Sequence, residues 1–261
     1  PGEYTSELLD CLEENNAHAT FFMLGQNVEN YQDDVKRMLE LGCEIGNHSW
    51  DHANMYELSL DSVVKEFNDA DQALIDACGQ ASTVVRAPYG NANEDIMNAV
   101  GKPFFMWSLD SLDWKYKDVD LDYKSIMQDN SSVIKDGTII LMHDIHEPSV
   151  KAAERIIPEL INMGFKLVTV SEMAEAKNVT LQNASYNNFW QDILDQGLVP
   201  GYAGNSTSDA DTSDGTESDG SDGSDGSDGT EDSSDGSEEG TGSDGSEDYS
   251  DGSEDGSNSS E

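Results

Sequence analysis

Apolar residues follow two spacings that take turns along about the first 170 residues. Helical spacing of apolar positions predicts helices over 6–15, 28–41, 59–79, 93–100, 122–134 and 149–163, and a last short helix capped by Ser171. Short apolar runs predict strands over 19–24, 44–46, 83–86, 104–109, 138–142 and 165–170. This alternation predicts an α/β fold with a parallel sheet, and the number of units favours a (β/α) barrel.

The last fifth of the chain has a different composition. From Asn205 to Glu261 it contains 20 acidic residues, no Lys or Arg, and Tyr249 as its only aromatic residue. Such a segment cannot bury enough apolar surface to offset its chain entropy. We therefore expect a folded domain over 1–178, an extension over 179–204, and a disordered acidic tail over 205–261 that acts as a flexible spacer.

Charge and cysteine content exclude several classes of protein. Of the formal net charge of -41, about -21 remains on residues 1–204, so nucleic acid is not an expected partner. The three cysteines, Cys11, Cys43 and Cys78, are far apart and lack metal-finger spacing, which favours small buried hydrophobic residues over a disulfide framework. No apolar run approaches the roughly 20 residues needed to cross a bilayer.

Polar residues follow four of the predicted strands, and in a barrel the ends of these strands meet at one mouth. His48 and His52 are four residues apart, a spacing that suits a metal if their loop turns helically, although such pairs also arise by chance. Arg86 could orient a carboxylate or form a structural salt bridge. Two aspartates flanked by tryptophans follow the next strand, and His143 ends another strand at a position suited to a general acid or base.

These residues carry a specific resemblance. In this order, His-Ser-x-x-His, Arg-x-Pro-Tyr, Asp-x-x-Asp-Trp and Leu-x-His resemble motifs two to five of the polysaccharide deacetylase family, carbohydrate esterase family four. The segments Ala-Thr-Phe-Phe at 19–22 and Glu-Ile-Gly-Asn-His at 44–48 are also typical of it. The resemblance covers about residues 1–178 and implies a distorted (β/α) barrel.

The resemblance implies roles for the metal and oxyanion side of the site. His48 and His52 would bind a divalent metal, commonly zinc. Arg86 would steady the catalytic base, and the backbone N–H of Tyr89 would face the developing oxyanion. These roles agree with the chemistry of amide hydrolysis, in which a metal polarises the carbonyl and activates water.

The resemblance also implies the acid side of the site. His143 would be the general acid that protonates the leaving amine. Asp110 is the first choice for the residue that orients His143, with Asp113 as the alternative, because the motif offers two carboxylates. Trp114 and Leu141 would pack against the acetyl methyl group.

The family's first motif, Thr-Phe-Asp-Asp-Gly-Pro, supplies the base and the third metal ligand. The sequence begins at Pro1, which matches the last residue of that motif. We therefore expect both aspartates, the first strand of the barrel, and any secretion signal or anchor to lie upstream of Pro1. Residues 1–261 alone are expected to bind metal poorly and to be inactive.

The implied function is hydrolysis of N-acetyl groups from N-acetylglucosamine residues of a glycan. Peptidoglycan is the first expected substrate and chitin-type oligomers the second, and xylan O-deacetylation uses the same machinery. The expected protein is a bacterial monomer at the cell surface or outside the cell. The alternative is a non-catalytic cell-wall glycan-binding protein on the same fold, against which the retention of the motif residues argues.

Overall fold

The computed structural model describes residues 1–203, and the predicted tail lies outside the described residues. The α-helices are α1 (Thr5–Glu14), α2 (Gly25–Val28), α3 (Gln32–Glu40), α4 (Leu60–Cys78), α5 (Glu94–Val100), α6 (Asp113–Tyr116), α7 (Val119–Lys124), α8 (Glu147–Asn162), α9 (Val170–Ala176) and α10 (Gln191–Asp195). The strands are β1 (Thr20–Met23), β2 (Glu44–Asn47), β3 (Phe104–Phe105), β4 (Leu109–Asp110), β5 (Ile140–Leu141) and β6 (Ser185–Tyr186). Within residues 1–203, no helix is both long and apolar enough to cross a membrane.

The named strands pair in parallel, as the alternation of helices and strands predicts. β1 pairs with β2, β3 with β6, and β4 with β5. Isolated parallel bridges from Asn47 to Val85 and from Val85 to Phe104 connect β2 to β3, so the predicted strand over 83–86 is reduced to one paired residue. Helices follow most of the strands, which gives the mixed α/β architecture.

Helix α4 shows how local sequence sets the elements. Ser59 precedes the helix, and its side chain accepts a hydrogen bond from the Ser62 N–H. Gly79 ends the helix with φ at 86°, a left-handed conformation that glycine adopts without a Cβ penalty. The buried positions of α4 include Val63 and Phe67, so its predicted apolar face is the face that enters the core.

Several predicted elements differ in the structure. The helix predicted over 122–134 is shorter and begins earlier, because the Asp118 side chain caps α7 and a π-helical turn, Ser125–Asp129, follows it. The predicted strand over 165–170 forms no ladder. The last predicted helix is capped by Thr169 and not by Ser171, since Thr169 and Glu172 form a reciprocal capping box.

The segment over 179–203 packs into the same core as the residues before it. β6 pairs with β3, and the buried Tyr186 ring stacks on Phe105 and Phe189 with centroids 5.3 Å and 5.7 Å apart. This stacking fixes the segment against the sheet.

A cavity of about 390 Å³ lies between β1 and β5. β1 pairs with β2 and β5 pairs with β4, and no ladder joins β1 to β5 in the described part of the chain. The lining of the cavity comes mainly from the residues of these two strands, from 166–170 and from α8, and includes Pro1. Folded proteins rarely leave an apolar space of this size empty, because each void loses packing contacts.

The first prediction concerns Asp122, which is fully buried on α7 with both carboxylate oxygens lacking a hydrogen-bond partner among the described residues. Burial, and then the negative charge of Asp113, raise the pKa of Asp122 from 3.8 to about 6. Between these pH values the folded state binds more protons than the unfolded state, so stability falls as pH rises through 6.

We expect Asp122→Asn to raise the free energy of unfolding at pH 8 and to change it little near pH 4, where the carboxyl group is already neutral. Urea titrations at both pH values measure this. Asp120→Asn, an exposed neighbour on the same helix, is the control. Destabilisation of Asp122→Asn at pH 8 would show that the carboxylate is held by favourable contacts.

Candidate active site

The loop after β2 brings His48 and His52 together without forming a helix. Ser49 and His52 have φ values of 69° and 71°, so the condition of a helical turn, under which the spacing suits a metal, is not met. The loop is closed by a hydrogen bond of 3.1 Å from the His52 N–H to Ser49 Oγ. The two imidazole centroids nevertheless lie 5.0 Å apart, so the rings still converge.

Asn47 anchors this loop, and the sequence analysis missed it. The buried Asn47 side chain donates from Nδ2 to the Phe67 carbonyl oxygen at 2.7 Å and to Asp71 Oδ1 at 2.9 Å. Its Oδ1 accepts a 2.9 Å hydrogen bond from the Ser49 N–H. The available signal was an amide side chain at a strand end, directly before His48.

His48 is held in the tautomer that a metal site requires. Its Nδ1 lies 2.7 Å from the Arg86 carbonyl oxygen, so Nδ1 carries a proton and donates it, which leaves Nε2 with a free lone pair. Burial lowers the pKa of His48 to about 3, so the ring is neutral at pH 7. Burial also lowers the pKa of His52. Neutral imidazoles are the form that binds metals.

Arg86 is a buried cation held by backbone carbonyls. Its Nε donates to the Phe105 oxygen at 2.8 Å, its Nη2 donates to the Met106 oxygen at 3.0 Å, and the guanidinium stacks 4.2 Å from the centroid of the Phe22 ring. Burial lowers the pKa of Arg86 to about 9. Within residues 1–203 it forms no ion pair, so the alternative of a structural salt bridge is not what the described residues show.

His143 is held by Asp113, and the first choice, Asp110, is therefore wrong. Asp113 is fully buried; its Oδ1 lies 2.8 Å from His143 Nδ1 and its Oδ2 accepts the His143 backbone N–H at 2.7 Å. Burial alone would raise the pKa of Asp113, but hydrogen bonds and charge from His143 outweigh it and lower the pKa. Asp110 Oδ1 instead accepts the Leu112 N–H at 2.8 Å, which shapes the turn before α6.

The three predicted pocket residues lie in different surroundings. Leu141 lines the cavity between β1 and β5. The same cavity is lined by His48, His52, Arg86 and His143. Tyr89 has φ at 59°, and its exposed ring packs edge-on against His52 with centroids 4.6 Å apart. Trp114 is 47% exposed and is not part of the cavity lining.

The site thus gathers two neutral imidazoles, a buried guanidinium and a carboxylate-bound histidine around one end of the cavity. A zinc-type catalytic site usually has three protein ligands. Among residues 1–203, no group of three His, Cys, Asp or Glu side chains is placed to hold a metal. The assignment of His48 and His52 as metal ligands therefore stays a prediction.

The chain matches a family model and several known proteins. The family model described as polysaccharide deacetylase matches residues 1–103. The chain is 38% identical over 173 residues to the peptidoglycan-N-acetylmuramic acid deacetylase PdaC of Bacillus subtilis, covering 66% of this chain and 36% of that protein. It is 33% identical over 203 residues to a peptidoglycan-N-acetylglucosamine deacetylase of Bacillus cereus, covering 74% of this chain and 70% of that protein.

A solved structure shows the same fold. The family 4 acetyl xylan esterase from Clostridium thermocellum, in complex with a cobalt ion, superposes with a TM-score of 0.65 at 29% identity, covering 71% of this chain and 92% of that one. The chain belongs to the polysaccharide deacetylase family. It spans about a third of the length of the first curated relatives that it matches.

The second prediction separates the two aspartates. Asp113→Ala leaves two donors of His143 without their acceptor, so we expect a loss of about 2–4 kcal/mol in the free energy of unfolding. Asp110→Ala should cost about 1 kcal/mol or less, since one backbone N–H loses its partner. Urea titrations give both values. The Nδ1–H proton signal of His143 should persist in Asp110→Ala and disappear in Asp113→Ala; the opposite pattern would restore Asp110.

Proposed function

We propose that the protein hydrolyses N-acetyl groups from N-acetylglucosamine residues of a polysaccharide, with peptidoglycan as the first substrate and chitin-type oligomers as the second. Membership of the polysaccharide deacetylase family and the deacetylase activities named for the relatives support the reaction class. The convergence of His48, His52, Arg86 and His143 on one end of a cavity is the observation that carries the proposal. Action on a wall polymer places the protein at the bacterial cell surface or outside the cell.

His48 and His52 would hold a divalent cation, zinc first among the candidates. The fit is supported by the Arg86 carbonyl, which fixes His48 so that Nε2 is the free nitrogen, and by the neutral state of the ring. A cation there would polarise the amide carbonyl and activate a water molecule.

The third metal ligand and the catalytic base would be carboxylates that reach the site from within the cavity. β1 and β5 both line the cavity and share no ladder in the described residues, and the buried Pro1 lines it too. Arg86 presents a buried positive charge to the same space, and such a charge is costly without an anionic partner. We propose that a strand with the family's Asp-Asp pair occupies the cavity of a distorted barrel, with one carboxylate as metal ligand and the other, beside Arg86, as base.

His143 would complete the reaction. Asp113 holds Nδ1, so Nε2 is the nitrogen that can deliver a proton. The carboxylate beside Arg86 would take a proton from water, whose oxygen adds to the acetyl carbon. The carbon–nitrogen bond would then break as the leaving nitrogen takes a proton from His143 Nε2, which gives acetic acid, ionised to acetate at neutral pH, and a free amine. The Tyr89 backbone N–H would stabilise the oxyanion, and Leu141 and Trp114 would contact the acetyl methyl group.

The third prediction tests the metal site. A chain that carries a β-strand ending in Thr-Phe-Asp-Asp-Gly ahead of Pro1, here called the strand-extended chain, should bind one zinc ion more tightly than residues 1–261. The double variant His48→Ala, His52→Ala of the strand-extended chain should lose this metal. Zinc content and calorimetric titration measure both effects.

Two controls accompany it. His18→Ala removes a histidine that lines the same cavity but pairs with Glu172 at 3.0 Å, and should leave zinc binding unchanged. A strand ending in Thr-Phe-Asn-Asn-Gly should fill the cavity and raise stability without raising zinc affinity. Equal zinc content in the double variant and its parent would remove both histidines from the site.

The fourth prediction concerns the general acid. In the strand-extended chain, His143→Ala should lower turnover by about 10²- to 10⁴-fold while zinc content stays the same, because a general acid contributes in that range without binding the metal. Acetate release from chitotetraose is the assay. His146→Ala is the matched control. A large loss in His146→Ala with little change in His143→Ala would move the acid to His146, and glycan binding without acetate release from the parent would favour the non-catalytic alternative.

A further inference from the structure

The segment directly after Asp113 projects side chains into solvent next to His143. Helix α6 is one turn long, and non-glycine residues bracket it in left-handed conformations, Leu112 with φ at 58° and Lys117 with φ at 47°. Asp113 anchors its buried end through two contacts with His143. We call the exposed residues after Asp113 the rim segment; they are Trp114, Lys115, Tyr116 and Lys117. The contacts of Asp113 therefore fix the position of the rim segment relative to the candidate acid, His143.

Both lysines of the rim segment differ from most other basic residues of this chain, because they form no ion pair within residues 1–203. All 13 Lys and Arg residues lie within the described part, and nine of them form ion pairs with Asp or Glu there. Arg86 is buried against carbonyls, and Lys166 lies close enough to Glu172 to lower the pKa of that carboxyl group, whose larger influences are burial and hydrogen bonds. Lys115 and Lys117 have no carboxylate partner within residues 1–203.

The acidic residues that flank the two lysines in sequence are already engaged, and Asp113 binds His143. The Asp118 carboxylate accepts the N–H groups of Asp120 and Leu121 at the start of α7, so it caps that helix. Lys115 lies instead over the Tyr116 ring, with Nζ 5.9 Å from its centroid. Burial, and next the positive charge of Lys117, lower the pKa of His146, which places Lys117 near the loop that carries His143.

We propose that Lys115 and Lys117 bind a carboxylate substituent of the glycan on a sugar next to the one that is deacetylated. This inference rests on the proposed function and deepens it, because it selects an acidic glycan over a neutral one. Residues 1–204 carry a formal charge of about -21, so long-range electrostatics do not attract an acidic polymer. Lys115 and Lys117, which have no carboxylate partner within residues 1–203, would supply the local attraction that such a polymer needs.

The test compares two ligands that differ only in charge. One is a tetrasaccharide of alternating N-acetylglucosamine and N-acetylmuramic acid with free lactyl carboxylates, and the other is its lactyl methyl ester. Binding to residues 1–261 is measured by NMR titration, which needs no turnover. We expect the free acid to bind about three- to tenfold more tightly at low salt, as two exposed ion pairs allow, and this preference to shrink in 0.5 M salt, where screening is strong.

Variants assign the preference to the two lysines. The double variant Lys115→Gln, Lys117→Gln should bind acid and ester equally, and Lys36→Gln, an exposed lysine on α3 that pairs with Asp33, should keep the preference. Equal binding of acid and ester by the parent chain overturns the inference and leaves the proposed function intact, as does an unchanged preference in the double variant. Failure of both ligands to bind also overturns it, and acetate release from neutral chitotetraose by the strand-extended chain then decides the proposed function separately.

Discussion

The buried guanidinium of Arg86 is the charge around which the site is organised. Its Nε and Nη2 are satisfied by the carbonyl oxygens of Phe105 and Met106, and its own carbonyl oxygen fixes the tautomer of His48. One residue thus links β3, the segment at Val85 and the loop after β2. Because a buried cation without an anion is unfavourable, this arrangement makes sense when a carboxylate reaches the cavity that Arg86 lines.

The contact between the buried Asp113 and His143 organises the other side of the site. Asp113 binds both the ring and the backbone of His143, and the same contact anchors the rim segment. The orientation of the candidate acid and the position of the exposed lysines therefore have one cause. The proposed metal ligands and the proposed acid lie on different elements, so each can be altered by substitution without the other.

Much of the fold could be predicted from the sequence because local signals agree with tertiary packing. Ser59 and Gly79 bound α4 where the capping residues indicate. The prediction was less successful where a contact distant in sequence decides the outcome. Thr169 displaced Ser171 as a cap, because Thr169 completes a capping box while the Ser171 hydroxyl binds Glu44.

Prediction of the site was also limited by contacts between residues that are distant in sequence. Motif spacing indicated that His48 and His52 converge, but the loop that achieves this depends on left-handed residues and on Asn47, whose partners lie 20 and 24 positions away. The choice between Asp110 and Asp113 could not be made from spacing, since both follow one strand. It depends on the side-chain directions at the start of α6, which three-dimensional packing sets.

A crystal structure of the strand-extended chain with zinc would test the central claim most directly. The account predicts a strand between β1 and β5, an aspartate oxygen within about 3 Å of the Arg86 guanidinium, and a zinc ion bound to His48, His52 and the second aspartate. A structure in which the added strand lies outside the cavity, or in which Arg86 has no carboxylate partner, would contradict it.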